Sequence, residues 1–369
     1  MAESTNPLDT LKIKKLIGFK QITPGVITSD VISALRQCGV DAVTSVNYSS
    51  SEFSIGSMSF LGNTFYGLKV TTDKGGKYVG ALSFTLAEKV SNLENTAIQV
   101  GFRLTATANN MRTSAELFNF HVGQGLSARA AITNEDTSAY YEATISTEKD
   151  SNGSKRTVSR AYVNKQLIAT SFTNYYQDNP VLLQVLTNSL TTAQDVGFSY
   201  MIGDMYIAEL DYNSDGTVTP QLLGNLTLEP FTVATYSGDK HINTLGNDIV
   251  TAINTLDPNN DMGVLEIKPV MQAASFTFNP PDITNGSIMG ASINIVYKDS
   301  AAPNNRLRYR ITEGTQSLPT EVITDRKADI TGYSTFTRIM TTPEGGGAWN
   351  TDNTRFALKL FNSETPEEE

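Results

Sequence analysis

The chain has a single cysteine, Cys38, so no intrachain disulfide can staple it. Its two histidines, His121 and His241, together with Cys38 fall short of a zinc site that takes three or four such ligands, so no metal is expected. Nowhere is there a run of about 18 apolar residues, which excludes a membrane-spanning helix. The N-terminal stretch MAESTNPLDTLKIKK lacks the apolar core of a cleaved export signal. The expectation is a protein made in a reducing cytoplasm, with no signal peptide and no membrane contact. Charge is also scarce, at 18% of residues, and the balance is −10. With no Lys/Arg stripe to neutralise phosphates, no nucleic-acid partner is expected.

Ser, Thr and Asn are dense, and the apolar residues come in short runs. That profile, over 369 residues, predicts many short strands divided between two domains. Thr28 to Arg36 (TSDVISALR) has cap chemistry and helical spacing of Val31, Ile32 and Leu35, so one short helix is expected there. From Val43 the pattern turns to strands punctuated by Gly and Asn, with Ala97 to Ala106 (AIQVGFRLTA) and Ala115 to Val122 (AELFNFHV) the strongest.

The segment Arg156 to Phe172 (RTVSRAYVNKQLIATSF) organises the rest. Val158, Arg160 and Tyr162 alternate with Ser159, Ala161 and Val163, placing the two sets on opposite faces of a strand. Asn164-Lys165 supplies a two-residue turn, because Asn tolerates left-handed backbone, and Leu167, Ala169 and Ser171 run back. This strand–YVN–strand unit resembles the hairpin of the concanavalin A-like (laminin-G-like) sandwiches, with Lys165 where that pattern usually has Gly. Ile202 to Ile207 (IGDMYI) is similar to the strand that closes such domains. The resemblance implies a concanavalin A-like jelly-roll β-sandwich over residues 15–240, after a flexible N-terminal arm, 1–14.

A helix-spaced segment, Thr244 to Leu256, and the break Asp257-Pro258-Asn259-Asn260-Asp261 suggest a linker over 241–261. A smaller C-terminal β-sandwich is expected over 262–362, followed by an acidic tail, 363–369. Its ending, Thr341 to Phe361 (TTPEGGGAWNTDNTRFALKLF), resembles a module recurrent in tailed-phage virion proteins: strand, Pro–acidic–Gly turn, Trp, final strand. The fold class expected is therefore all-β.

Chemistry-bearing patterns are sparse. Glycan-cleaving members of the lectin-like fold carry E-x-D-x-x-E on one strand, which sets two acids on one face of a cleft. Glu209 and Asp211 match the first two positions, but Ser214 replaces the third acid, so these residues are expected not to be catalytic. Asp211, Asn213, Asp215 and Gly216 imitate a calcium loop without the bidentate Glu, Leu222 standing there instead; a hairpin turn is the better reading. Asp257, Asn259 and Asp261 share that weakness. His121 reads as a packed strand residue, Gly345-Gly346-Gly347 as a turn and not a phosphate cradle, and Trp349 as a core anchor.

Arg306, Arg308 and Arg310 fall on one face of a strand whose other face is Leu307, Tyr309 and Ile311. In an acidic chain this ridge, on an edge-type strand, is the candidate protein-interface site; the other reading is a solvated strand face protected from edge pairing. The resulting expectation is a non-enzymatic, cofactor-free structural component of a tailed-phage virion (tail, collar, baseplate or head-surface decoration). It would be homo-oligomeric and bound to other virion proteins. The alternative is a glycan-binding adhesin that recognises a host glycan.

Overall fold

The computed structural model describes residues 11–26, 42–47, 51–72, 81–89, 97–108, 118–122, 128–130, 137–174, 180–186, 198–238, 242–243, 248–254, 265–267, 273–283, 286–297, 307–323, 334–350 and 354–362. The chain forms two compact units, one of Thr10–Lys20 and Pro24–Leu228, the other mainly Glu229–Glu369. The division therefore falls at 228/229, ahead of the expected linker. The reason is hydrogen bonding: residues 232–237 form a strand that pairs into the C-terminal unit.

The first unit contains β1 (Lys12–Ile17), β2 (Gly25–Val26), β3 (Ala42–Asn47), β4 (Ser51–Phe60), β5 (Asn63–Thr72), β6 (Ala81–Lys89) and β7 (Ala97–Ala108). It continues with β8 (Phe118–Val122), β9 (Ala128–Ala130), β10 (Thr137–Lys149), β11 (Lys155–Val163), β12 (Gln166–Asn174), β13 (Pro180–Leu186) and β14 (Phe198–Leu210). They form a nine-stranded sheet, β12-β11-β10-β7-β14-β5-β4-β2 with β1 also on β14, and a five-stranded sheet, β3-β6-β13-β8-β9. All pairings are antiparallel. This is the lectin-like β-sandwich that the hairpin implied.

Period-two alternation gives the nine-stranded sheet two different faces. Along β7, Ile98, Val100, Phe102 and Leu104 take one face, and Gln99, Gly101, Arg103 and Thr105 the other. The register continues each set sideways: Tyr141 and Ala143 lie opposite Phe102 and Val100, whereas Glu142 lies opposite Gly101. The apolar face is fully buried, and the Phe102 and Tyr141 rings stack at 5.6 Å between centroids. Burying a side chain of Phe size is worth about 1.5–3 kcal/mol.

The hairpin turns as its sequence demands. Asn164 and Lys165 have φ of 48° and 69°, the left-handed pair of a two-residue turn, and Lys165 adopts it without the usual Gly. Asn164 Oδ1 accepts from the Tyr140 N–H at 3.1 Å, and the Asn164 N–H donates to the Tyr140 carbonyl at 2.8 Å. One irregularity interrupts the pairing: Ala161 faces Ala169 but Tyr162 faces Leu167, so Ile168 is an extra residue on β12.

The second unit contains β15 (Thr232–Ser237), β16 (Ile242–Asn243), helix α1 (Ile249–Asn254), β17 (Leu265–Glu266), β18 (Ala274–Asn279) and β19 (Ala291–Tyr297). β20 (Leu307–Glu313), β21 (Gln316–Ser317), β22 (Glu321–Val322), β23 (Ser334–Met340) and β24 (Phe356–Asn362) complete it. Its main sheet runs β15-β18-β24-β20-β21, with β22 on β20; β19-β23 and β16-β17 pair separately. Phe276, Tyr309, Ile311 and Leu358 from the main sheet share one core with Ile295, Tyr297 and Met340 from β19 and β23. α1 falls within the expected helix-spaced segment, whose two ends lie outside the described residues. Asp248 caps it by accepting from the Thr251 N–H and hydroxyl, and Asn254 makes two 2.8 Å bonds to the Val233 backbone.

Trp349 is where its sequence context put it. It lies in the core, its indole N–H donating to the Thr341 carbonyl at 3.1 Å, its ring 5.9 Å from Phe356. The preceding Pro–acidic–Gly stretch turns with the Gly346 N–H on the Pro343 carbonyl, and Gly346 and Gly347 have φ of 76° and 81°. The buried Glu313 accepts from the Glu344 N–H and so ties the turn to β20.

The expected helix at Thr28 to Arg36, Cys38, His241, the acidic loop 257–261, Arg306 and the tail lie outside the described residues; of His121 only the backbone, in β8, is described.

Candidate functional site

The polar face of the nine-stranded sheet is the main concentration of functional groups among the described residues. It is built by alternation. Gln99 and Arg103 stand on β7, Tyr140, Glu142 and Thr144 on β10, and Tyr206 on β14. A bulge between Gly203 and Tyr206, with Asp204 at φ 46°, brings the Asp204 carboxylate to the Arg103 guanidinium. Gly101 leaves the space for Tyr206: a Cβ there would come within 2.1 Å of the ring.

An irregular strap, residues 217–228, lies over this face. Glu142 Oε1 accepts from the Tyr206 hydroxyl at 2.5 Å and the Leu223 N–H at 2.8 Å, and Oε2 from the Gly224 N–H at 3.1 Å. Gln99 donates to the Tyr206 oxygen at 2.5 Å and to the Gln221 carbonyl at 2.9 Å, while its own oxygen accepts from the Gln221 N–H at 3.1 Å. Arg103 donates to Asp204 at 3.1 Å, to Asn225 at 2.6 Å and to the Leu226 carbonyl at 2.8 Å. It also lies 4.4 Å from the centroid of the Phe65 ring. Asp204 accepts from the Leu228 N–H through Oδ1, and its carbonyl accepts from the Tyr140 hydroxyl.

Glu142 and Gln99 are 0% exposed and Arg103 4%. Burial pushes the Glu142 carboxyl above the ordinary carboxylate range, opposed by the Tyr206 hydroxyl, the two strap N–H groups and the Lys165 charge. Burial and the neighbouring Glu142 push the Tyr206 hydroxyl well up. A carboxylate, phenols, a guanidinium and an amide on one sheet face are a set able to bind polar sugars and to move protons. In this conformation the strap supplies their partners.

The sequence did not point to this site. Polar residues at alternate strand positions read as a solvated face, and the strap, having no periodicity, carries no signal of what it covers. Gly101 in a strand interior was the available clue.

The candidates that the sequence did single out fall elsewhere. Glu209 and Asp211 pair with β1 lysines, Lys14 at 3.1 Å and Lys12 at 2.6 Å. Asp215 turns inward on its own loop, accepting from the Thr217 N–H and hydroxyl, while the Asn213 amide donates to Thr217 and Thr219. That is the hairpin-turn reading, with the Gly216 N–H on the Asn213 carbonyl at 2.9 Å and the Asn213 N–H on the Thr217 carbonyl at 2.8 Å. Among the described residues no cluster of three His, Cys, Asp or Glu side chains is placed to hold a metal ion.

The arginine ridge differs from expectation in one respect: β20 is not an edge strand. Arg308 lies opposite Phe361 of β24 on one side and Val322 of β22 on the other. Arg308 and Arg310 are half-buried, and Arg310 Nε donates to Thr320 Oγ1 at 2.9 Å. Tyr309 and Ile311 face the core as the alternation required. The Tyr309 hydroxyl donates to Glu321 at 2.5 Å, and Arg338 donates to both Glu321 and Tyr309.

Among the described residues, the first unit does have an edge strand. β12 ends the nine-stranded sheet and leaves Leu167 56%, Ile168 43% and Phe172 53% exposed. The Arg156 guanidinium stacks 4.2 Å from the Phe172 centroid.

No family model matches the chain, and no curated protein matches it. Solved structures of similar architecture include the alginate lyase Aly36B, 11% identical over 54% of this chain and 97% of that one, with a TM-score of 0.36. The alginate lyase vAL-1 from Chlorella virus is 12% identical over 50% of this chain and 98% of that one, TM-score 0.32. The tandem CBM22 domains of Paenibacillus barcinonensis Xyn10C are 10% identical over 98% of this chain and 91% of that one, TM-score 0.24. Identities of this size speak to architecture alone. They do correct one expectation: polysaccharide lyases stand among the similar structures, so the reading of this chain as a non-enzyme is withdrawn.

Proposed function

We propose that this chain is an assembly component of a tailed-phage particle, its lectin-like sandwich and smaller C-terminal sandwich serving as docking units. One observation carries the proposal. β12 is a sheet edge without a charged residue, and it holds three large apolar side chains in solvent, a surface suited to a protein neighbour. The phage-like ending supports it, since its Gly turn and Trp349 build the corner of the second core. Arg306, Arg308 and Arg310 are a second contact for an acidic virion neighbour. The test is fractionation of particles made in cells that express the chain: it should co-sediment with them in stoichiometric amount, and a chain left wholly in the soluble fraction contradicts the proposal.

A second reading, polysaccharide recognition by the lectin-like unit, is favoured by the convergence of Gln99, Arg103, Tyr140, Glu142 and Tyr206 on one sheet face. Calorimetric titration with neutral and uronic-acid polysaccharides tests it, with unsaturated products assayed in the same samples. Binding that is lost in Arg103→Gln supports the reading; absence of heat and of product with every polymer removes it.

A further inference from the structure

We infer that β12 is the site of self-association, through antiparallel pairing with β12 of a second copy about a two-fold axis at Thr170. The inference rests on the assembly reading above and names its partner.

Three observations lead to a second copy as occupant. First, the chain carries −10 overall, yet the nine residues of β12 (QLIATSFTN) include no charge, Pro or Gly. Natural edges are usually blunted by Lys, Pro or inward charges, and within β12 itself the one such device is the bulge at Ile168, next to the turn. Two copies of an acidic protein meet most readily where the strand itself presents no carboxylate. Second, a register centred on Thr170 is self-complementary. It sets the exposed Phe172 of each copy against the exposed Ile168 of the other, an aromatic–β-branched pair made twice by symmetry. Third, that register keeps the faces continuous. Phe172 lies opposite Val158 and Thr170 opposite Arg160, so the paired sheets would extend one polar face across both copies.

One strand edge is small beside the roughly 800 Å² per partner of a stable interface. The contact is therefore weak in dilute solution and gains strength where many copies are held together.

The test uses the full chain with Cys38→Ser, carrying Thr170→Cys. Residues opposite each other across an antiparallel pair lie at about 4.5–5.5 Å between Cα atoms, within disulfide range. Mild oxidation should give a covalent dimer, whereas Leu61→Cys, on the fully exposed β4–β5 turn, should not. In sedimentation equilibrium, Thr170→Lys should weaken self-association by roughly tenfold, since like charges would then face each other on the axis. Circular dichroism of the variant confirms that the monomer is intact. An oligomer that neither cross-links through Thr170→Cys nor responds to Thr170→Lys overturns the inference and leaves the assembly reading standing. A β12 dimer that never enters particles does the reverse.

Discussion

At the residue scale, the polar face of the first unit depends on how closely Gly101, Tyr206 and Glu142 fit. The Tyr206 ring is held by Glu142 and Gln99 and cannot retreat from a Cβ that would lie 2.1 Å away. Gly101→Ala should therefore cost about 1–3 kcal/mol of first-unit stability, measured by urea denaturation. Glu142 gives a pH signature. Its folded value is raised, so its contribution is fully present below the unfolded carboxylate value and is lost as pH rises through the folded one. Glu148 has the opposite sign. Arg160 and Ser146 hold its carboxyl below the ordinary range, so its contribution is lost as pH falls. As pH rises out of the ordinary carboxylate range and through the raised Glu142 value, Glu142→Gln should gain stability relative to the parent, although the amide cannot accept every donor and starts lower at acid pH. A difference that is flat with pH would mean that Glu142 titrates as an ordinary surface carboxyl. None of this was legible in the sequence, where Glu142 is one polar residue in an alternating strand. The bulge that turns Asp204 toward Arg103 has no sequence mark either.

At the element scale, the sequence was most informative where a turn has its own chemistry. Asn164-Lys165 was readable because few residues accept left-handed backbone, and both do so here. Asn164→Ala should lose about 1–2 kcal/mol, since Ala neither tolerates that conformation nor accepts the Tyr140 N–H. Hydrogen exchange at Tyr140 is the direct readout. Trp349 and the glycine turn were readable for the same reason, a fixed order of turn, aromatic and strand. The status of β20 was not: alternation places Arg308 and Arg310 on one face but does not reveal that β22 covers the strand's far side. Replacing Arg306, Arg308 and Arg310 by Ser should leave the fold intact and reduce assembly at low salt, an effect that fades as salt screens the charges.

At the scale of the whole molecule, strand content and the two units followed from composition and length, but the border did not. The expected border rested on an Asp/Asn/Pro break, whereas the observed one is set by the partner that β15 finds in β18. Trp349, the single tryptophan, lies in the second core, so its fluorescence reports that unit alone. In Gly101→Ala the circular dichroism transition should shift while the Trp349 transition stays in place; a joint shift would mean that the chain unfolds as one body.

Density-gradient fractionation of tailed particles from expressing cells is the direct test of the proposed assembly role. The chain should lie in the particle band at fixed stoichiometry, reduced when Thr170→Lys is the only copy supplied. Particles that form normally and contain none of it would rule that role out.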